Sequence, residues 1–490
     1  MNSDGSKTRY SPFRNWLSLI GMVVLIGSLF SFVLLFAIDV FARGSNPYLG
    51  ILTMVVAPSF AMGGMALMVL GWLLHKRRVE KNAGLTAPSL NIDLARPQDR
   101  RNLMILAIGA AIFMLFAALG SYHTYHFAES VMFCGQTCHT PMGPEYTTYC
   151  NSPHANVSCT ACHVGPGAVS FVKAKLNGVH QLKDTIFNTF ERPVKTPKHM
   201  RPARETCGEC HWPKKYYGNM ERTFTRFLTD EKNTRHKFLM MLKVGGGDPT
   251  HGPVGGIHWH MNVGNKVEYI ATNDNRQTIP WVRFTDGEGK VTEYRSAKFT
   301  NDIAGLNVRR MDCLDCHNRP AHQYRNPSDS ADLALSLGKI DPSLPSIKSN
   351  LVAFLSRTNT TKAEGLEYIA AALRKSYPKE PKIEAVIAEA QTMYRTSVFP
   401  EMNVDWRTYP DNIGHKTWPG CFRCHDGEHK TADGKRKIEA SNCNDCHVIL
   451  AQGNGDEFKK MDPNGLKFAH PSEDSPGTDP NCVMCHGVAP

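Results

Sequence analysis

The chain has 490 residues, enough for two or three domains, and its 42% hydrophobic and 21% charged composition excludes a disordered, highly charged polymer. Its formal charge of +11 divides into +6 over residues 1–102 and +5 over the remainder, too dilute for a nucleic-acid surface. Average hydropathy conceals a strongly apolar N-terminal quarter and fifteen cysteines crowded downstream of it.

Three apolar stretches come first, at 16–38, 48–74 and 103–122, each close to the roughly 20 residues that cross a bilayer. The first lacks a small-residue cleavage site after it and reads as an uncleaved anchor. Lys7, Arg9 and Arg14 precede it, and Lys76, Arg77, Arg78, Lys81, Arg96, Arg100 and Arg101 lie between the second and third stretches. The short first loop holds only Arg43. An excess of positive residues on the retained side predicts a cytoplasmic N-terminus, so three spans deliver the rest of the chain to the opposite side, the periplasm.

The cysteines then fall into a pattern. Six strict CxxCH motifs occur, at Cys159/Cys162/His163, Cys207/Cys210/His211, Cys313/Cys316/His317, Cys421/Cys424/His425, Cys443/Cys446/His447 and Cys482/Cys485/His486. Chance would place roughly 0.02 in a chain of this composition. Zinc pairs and disulfide frameworks do not require a histidine directly after the second cysteine, whereas covalent haem c does: two thioethers hold the macrocycle and the adjacent imidazole binds its iron. The stretch "FCGQTCHTPM" at 133–142 keeps the order with one extra residue, and Gly135 would let the longer loop close, so Cys134, Cys138 and His139 read as a seventh site. Haem propionates would offset the positive excess. Cys150 is left over and reads as a small buried hydrophobe rather than a reactive thiol.

Three sites crowd into residues 134–211, where packed haems must supply much of the buried apolar surface. Residues 216–311 lack a motif and alternate like strands, with Asp286 to Gly289 as a hairpin turn, which predicts a small β insert. Residues 329–398 turn helical: Thr361 and Glu364 fit a capping box before "GLEYIAAALRKSY", and 382–395 has a similar rhythm. The last three sites follow in a stretch punctuated by Gly and Pro, as expected where haems fill the interior.

Closed electron-transfer haems need a second axial ligand. Thirteen histidines outside the motifs lie beyond the second span: His123, His126, His154, His180, His199, His236, His251, His258, His260, His322, His415, His429 and His470. His154, His415 and His470 precede sites within loops, and His322 and His429 closely follow sites, so these five are the favoured distal ligands. His258 and His260 alternate in "GGIHWHMN" and would point oppositely if extended, so at most one is expected at any given haem. His123 and His126 end the third span and either ligate the first haem or mark the interface.

An anchor followed by "FCGQTCHTPM", "SPHANVSCTACHVGPG", "KAKLNG" and "ETCGECHWP" resembles the NapC/NirT family of membrane-anchored quinol dehydrogenases over roughly residues 103–215. Seven sites and three spans look more closely like the inner-membrane heptahaem cytochromes of metal-reducing bacteria. The resemblance implies a first haem beside the membrane that can take a methionine ligand after its motif, here Met142, and that borders a quinol pocket. The family usually has this methionine two residues after the histidine, and here it follows by three. The resemblance also places a quinol-site lysine at Lys175, with Lys173 as the nearby alternative, and an acidic partner at Asp184. On the residues alone, these charges read equally as a solvated amphipathic helix.

The expected fold is mostly α and irregular: a three-span membrane domain (1–127), a three-haem module (128–215), a β-rich insert (216–312) and a four-haem region (313–490) with a helical insert. The expected function is oxidation of menaquinol or a similar quinol from the membrane pool, with electrons passed along seven haems c to periplasmic c-type cytochromes in anaerobic respiration. A quinol must lose protons as electrons leave, so Lys175, Lys173 or Asp184 would serve as base. Two rivals stand beside this reading. One is a passive conduit and docking protein without a quinol site; the other is an oxyanion reductase, which needs an open iron position.

Overall fold

In the computed structural model, the described residues are 15–41, 56–81, 93–137, 139–164, 178, 181, 183–194, 202–212, 218–246, 255–262, 264–300, 302–439, 443–472 and 482–487. The chain divides into two compact units, Met1–Thr137 with Ser158–Phe187, and Cys138–Val157 with Asn188–Pro490. The described structure is mostly helical with some sheet.

The first unit contains helices α1 (Trp16–Phe41), α2 (Ala57–Lys81) and α3 (Pro97–Glu129). Two described helices, over Trp16–Val33 and Ala57–Arg77, are long and apolar enough to cross a membrane. The expected second span began at residue 48, nine residues before α2; residues 42–55 lie outside the described ones. The third apolar stretch lies within α3, which continues past it to Glu129. Small residues let α1 and α2 approach closely. A Cβ on Gly64 would stand 2.8 Å from the Gly21 carbonyl oxygen, and one on Gly21 would stand 2.6 Å from that of Gly64. Ser18 Oγ donates to the Met68 carbonyl at 3.2 Å nearby. Close backbone contact plus an interhelical hydrogen bond is how apolar helices associate where burial from water gives no advantage.

The second unit opens with helix α4 (His139–Cys150) and holds two antiparallel sheets. Strands β1 (Met220–Phe227), β2 (Arg235–Leu242) and β9 (His447–Gly453) form one; β3 (Lys266–Ile270), β4 (Trp281–Thr285), β5 (Val291–Ser296), β6 (Arg309–Arg310), β7 (Asp426–Lys430) and β8 (Lys437–Glu439) form the other, in order β6-β3-β4-β5-β7-β8. Tyr269 and Trp281 are fully buried in the second sheet. Its hairpin turns where expected: Gly289 N–H donates to the Asp286 carbonyl and Asp286 N–H to that of Lys290. The sheets extend beyond residues 216–312, because β7, β8 and β9 come from the C-terminal haem region and complete them. Short polar strands such as "DGEHK" carry no alternation, which hides them from a periodicity reading.

The helical insert is four helices, α5 (Pro327–Ser336), α6 (Ile347–Ser356), α7 (Lys362–Ser376) and α8 (Ile383–Ser397), around a core that includes Ile347, Leu351, Ile369 and Leu373. Each such fully buried side chain is worth roughly 1.5–3 kcal/mol relative to exposure. Asn326 caps α5 through Asp329 N–H, with Pro327 in the first turn. Thr361 caps α7 through Glu364 N–H at 3.1 Å, but the Glu364 carboxylate returns to Thr360 N–H rather than to Thr361, so half of the expected box forms. The insert is tied to β1 by charge: Asp332 accepts from Phe227 N–H and from Lys348 Nζ, and Arg226 binds Asp329 at 2.5 Å.

Candidate haem-ligating site

At the attachment motifs the backbone makes one tight turn. The histidine N–H donates to the first cysteine's carbonyl at 2.7 Å in His211, 2.8 Å in His317, 3.0 Å in His425 and 2.8 Å in His486. That turn sets both thiols and the imidazole on one side of a short helix, which explains the two-residue spacing. The first site departs as its spacing requires: Phe133–Thr137 is a π-helical turn, which takes one more residue per turn than an α-helix. Gly135 is buried inside it, while Cys138 and the His139 side chain lie outside what is described. Cys210, Cys316, Cys421, Cys424, Cys443, Cys446 and Cys485 are free thiols, the form that thioether formation consumes.

The second and third sites correct the expectation of a closed interior over residues 134–211. Cys159–His163 is a five-residue helix with no buried residue: Cys162 is half-buried and His163 is exposed. Cys210 is exposed as well, in the turn that follows the short helix Ala203–Cys207. The physical reason is the shortness of these elements. A five-residue helix between polar loops has too few apolar side chains to cover its own cysteines and histidine, so the polypeptide by itself does not enclose this module. Cys162, His163 and Cys210 are therefore assigned as haem-attachment and ligating residues on their motifs, not on burial.

Five attachment histidines of the second unit each face one other histidine. Ring centroids are 6.1 Å apart for His154 and His211, 6.4 Å for His258 and His317, 5.9 Å for His260 and His425, 6.3 Å for His415 and His447, and 6.0 Å for His470 and His486. Two metal–nitrogen bonds of about 2 Å plus two centroid-to-nitrogen distances of about 1.1 Å place axial imidazoles about 6.2 Å apart. The spacing fits an iron held between the rings. His163 belongs to the first unit and stands outside these five pairs.

Protonation and orientation fit as well. Burial lowers the pKa values of His258, His317, His425, His447, His415 and His486. In His258, His425, His447 and His486 the facing imidazole further disfavours charge, so these rings hold the neutral, ligating form. Nδ1–H of His258 donates to the Val244 carbonyl at 3.0 Å, that of His260 to Ile257 at 2.8 Å and that of His322 to Glu145 at 2.9 Å. A ring held through Nδ1–H ligates through Nε2. Nδ1 of His154 and of His447 is buried without a hydrogen-bond partner among the described residues.

Of the five favoured distal histidines, His154, His415 and His470 thus face attachment histidines. His322 is oriented by the Glu145 carbonyl. His429 differs: it is 1% exposed, its Nδ1 lies 2.8 Å from the Asp426 carboxylate and its Nε2 lies 2.6 Å from the Ile279 carbonyl, so neither nitrogen is left for iron. It stitches β7 to the segment before β4. Met142 sits one turn after His139 on α4 and is half-buried. Lys173 and Lys175 lie outside the described residues; Asp184 is half-buried in a short helical turn. Cys150 is exposed at the end of α4 rather than buried, because that helix turns its last residue outward.

Sequence reading missed a buried cluster around Glu145. Arg319 binds its carboxylate at 3.1 Å, Tyr324 OH donates to it at 3.3 Å, and the Arg319 guanidinium lies 3.8 Å from the Tyr409 ring centroid. Burial raises the Glu145 pKa against the opposing pull of Arg319. It also missed that Asp315 and Arg423, charged residues inside two CxxC loops, meet; their opposite signs were the available signal. Tyr149 OH reaches the carbonyls of Ala155 at 2.5 Å and Val157 at 2.9 Å, fixing the loop that carries His154.

Comparison with known proteins agrees with this arrangement. Residues 96–203 match the model of the NapC/NirT cytochrome c family, N-terminal region. The chain is 36% identical over 493 residues to the cytochrome c-type protein ImcH of Geobacter sulfurreducens, covering 97% of this chain and 95% of that one. No solved structure matches. With haem-attachment turns, histidine pairs at iron-spanning distance and this similarity along nearly the whole chain, the protein belongs to the NapC/NirT family of membrane multihaem c-type cytochromes.

Proposed function

We propose that this membrane cytochrome oxidises a quinol at the membrane surface and delivers electrons to periplasmic c-type cytochromes. The observation that carries the reading is the position of the first attachment site. Helix α3 ends at Glu129, and the π turn holding Cys134 begins at Phe133, with Phe127 and Phe133 packed edge to face at 5.4 Å and Ser130 Oγ accepting from Phe133 N–H at 3.0 Å. A turn welded to the end of an apolar helix supports a redox centre where a lipid-soluble donor can reach it. In this reading α3 is a third span, the basic residues around the first two spans stay in the cytoplasm, and the attachment sites face the periplasm from the inner membrane.

Covalent haem c, seven in this account, supplies one-electron redox chemistry. The chain's own residues bind, orient and move protons. His154, His415 and His470 close the positions opposite His211, His447 and His486, which supports electron-transfer sites over an oxyanion reductase. Met142 lies on the same helical face as His139 and is the proposed ligand at the first site. Lys175, Lys173 and Asp184 are the proposed proton acceptors for the quinol hydroxyls. Exposed Ile186 (67%) and Phe187 (69%) beside Asp184 support a lipid-facing position for that carboxylate.

Lys175→Met and Asp184→Asn variants of the detergent-solubilised holoprotein, mixed anaerobically with a reduced menaquinone analogue, test the acceptors. Loss of a general base slows proton removal about 10²-fold or more. Haem content by pyridine haemochrome stays unchanged. Wild-type rates in both variants remove these residues from the reaction.

A further inference from the structure

His258 and His260 are two residues apart on one five-residue 3₁₀ turn, Ile257–Met261, yet they face different attachment histidines. In a 3₁₀ helix each residue advances about 120°, so side chains at i and i+2 diverge by about 120° and cannot share one iron. We propose that this turn is a double distal-ligand site, with His258 closing the iron of the Cys313–His317 site and His260 that of the Cys421–His425 site.

The turn is built to hold both rings. Ile257 N–H and His258 N–H donate to the carbonyls of Lys243 at 2.8 Å and Val244 at 3.1 Å. Gly256 makes that approach possible: its φ is +83°, and a Cβ there would lie 2.4 Å from the Lys243 carbonyl oxygen. Trp259, between the two histidines, packs on Phe284 of β4 with centroids 4.9 Å apart.

The two attachment loops are fastened to each other independently. Arg423, inside the Cys421–Cys424 loop, donates through Nη2 to the Asp315 carbonyl, inside the Cys313–Cys316 loop, at 2.6 Å. The Asp315 carboxylate accepts from Tyr269 OH at 2.6 Å and Arg276 Nη1 at 2.5 Å. Both loops and both distal rings therefore belong to one rigid frame, which fixes the spacing of two neighbouring haems. This assignment requires covalent haem but not quinol oxidation, so either can fail alone.

The rings also differ in a way that spectra read. His258 and His317 are nearly parallel, at 10°, whereas His260 and His425 are nearly perpendicular, at 79°. Parallel axial imidazoles give a rhombic low-spin ferric signal in electron paramagnetic resonance, and perpendicular ones a strongly axial signal. The experiment uses full-length holoprotein carrying His258→Met or His260→Met, with haem number checked by intact mass. The expected result is loss of one rhombic bis-histidine haem in the first variant and one strongly axial haem in the second. Unchanged spectra, or loss of the same signal in both, overturn the proposal. Should neither variant accumulate, near-infrared magnetic circular dichroism of the wild type decides: five or more bis-histidine haems with both signal classes support the site, and four or fewer overturn it.

Discussion

The His415 ring lies nearly parallel to that of His447, at 18° with centroids 6.3 Å apart, although 32 positions separate them in the chain. His415 Nδ1 is also 3.9 Å from Cys482 Sγ, so the ring opposite one attachment site touches the cysteine of the next. Replacing His415 with Met changes one axial pair from His/His to His/Met. The expected outcome is a rise in one haem potential by ~0.1 V or more, within the about 0.8 V that axial ligation spans, seen in a spectroelectrochemical titration.

His429 provides the contrasting case. With both nitrogens held by Asp426 and the Ile279 carbonyl, His429→Gln should leave the low-spin haem spectrum and every potential as they are. The loss should be structural, about 1–3 kcal/mol for a buried polar group left unsatisfied, measured as a lower urea midpoint. A high-spin haem in this variant would return His429 to the ligand set.

Asp329 gives a pH dependence. Burial alone would raise its pKa, but Arg226 and Lys416 outweigh that and hold the folded value below the usual carboxylate range. A depressed carboxylate pKa stabilises the fold fully above the unfolded value of about 3.9 and loses that contribution as pH falls through the folded value. Asp329→Asn should therefore cost about 1–2 kcal/mol at pH 7. The difference from wild type should shrink as denaturant titrations are repeated below about pH 4.

Gly64 tests the packing of α1 on α2. A leucine there has no room against Gly21 and Leu25, whose backbone atoms would lie 2.8 Å from its Cβ. Overpacking of this kind costs about 1–3 kcal/mol. Gly64→Leu should lower the thermal midpoint of the helical signal in detergent, while the neighbouring Gly63→Leu, with open space around it, should not.

Features with a strong local signature were legible in the sequence. Trp16–Val33 and Ala57–Arg77 announce themselves by composition, the CxxCH motifs by spacing, and α7 by Thr361 and its apolar rhythm. The wider Cys134–Cys138 spacing reads directly as the π turn. Spacing does not encode burial, however: Cys162 stands half-buried, and His163 and Cys210 exposed, in motifs identical in form to those of the enclosed Cys424 and His425. Non-local pairings left no mark either. Strand β9 begins at an attachment histidine, His447, and joins β2 across two hundred residues, which no window of sequence encodes. Proximity in the chain drew attention to His429, three residues from Asp426, but the fold occupies both of its nitrogens with hydrogen bonds. His258 and His260 were read as an extended pair, whereas Gly256 and the carbonyls of Lys243 and Val244 wind them into a 3₁₀ turn.

The most direct test of the account is anaerobic stopped-flow mixing of the solubilised holoprotein with a reduced menaquinone analogue, following haem absorbance with and without a quinol-site inhibitor. The account predicts fast haem reduction that the inhibitor abolishes. Absence of reduction by the quinol, in protein that dithionite reduces fully, would contradict it and leave a conduit fed by a partner protein.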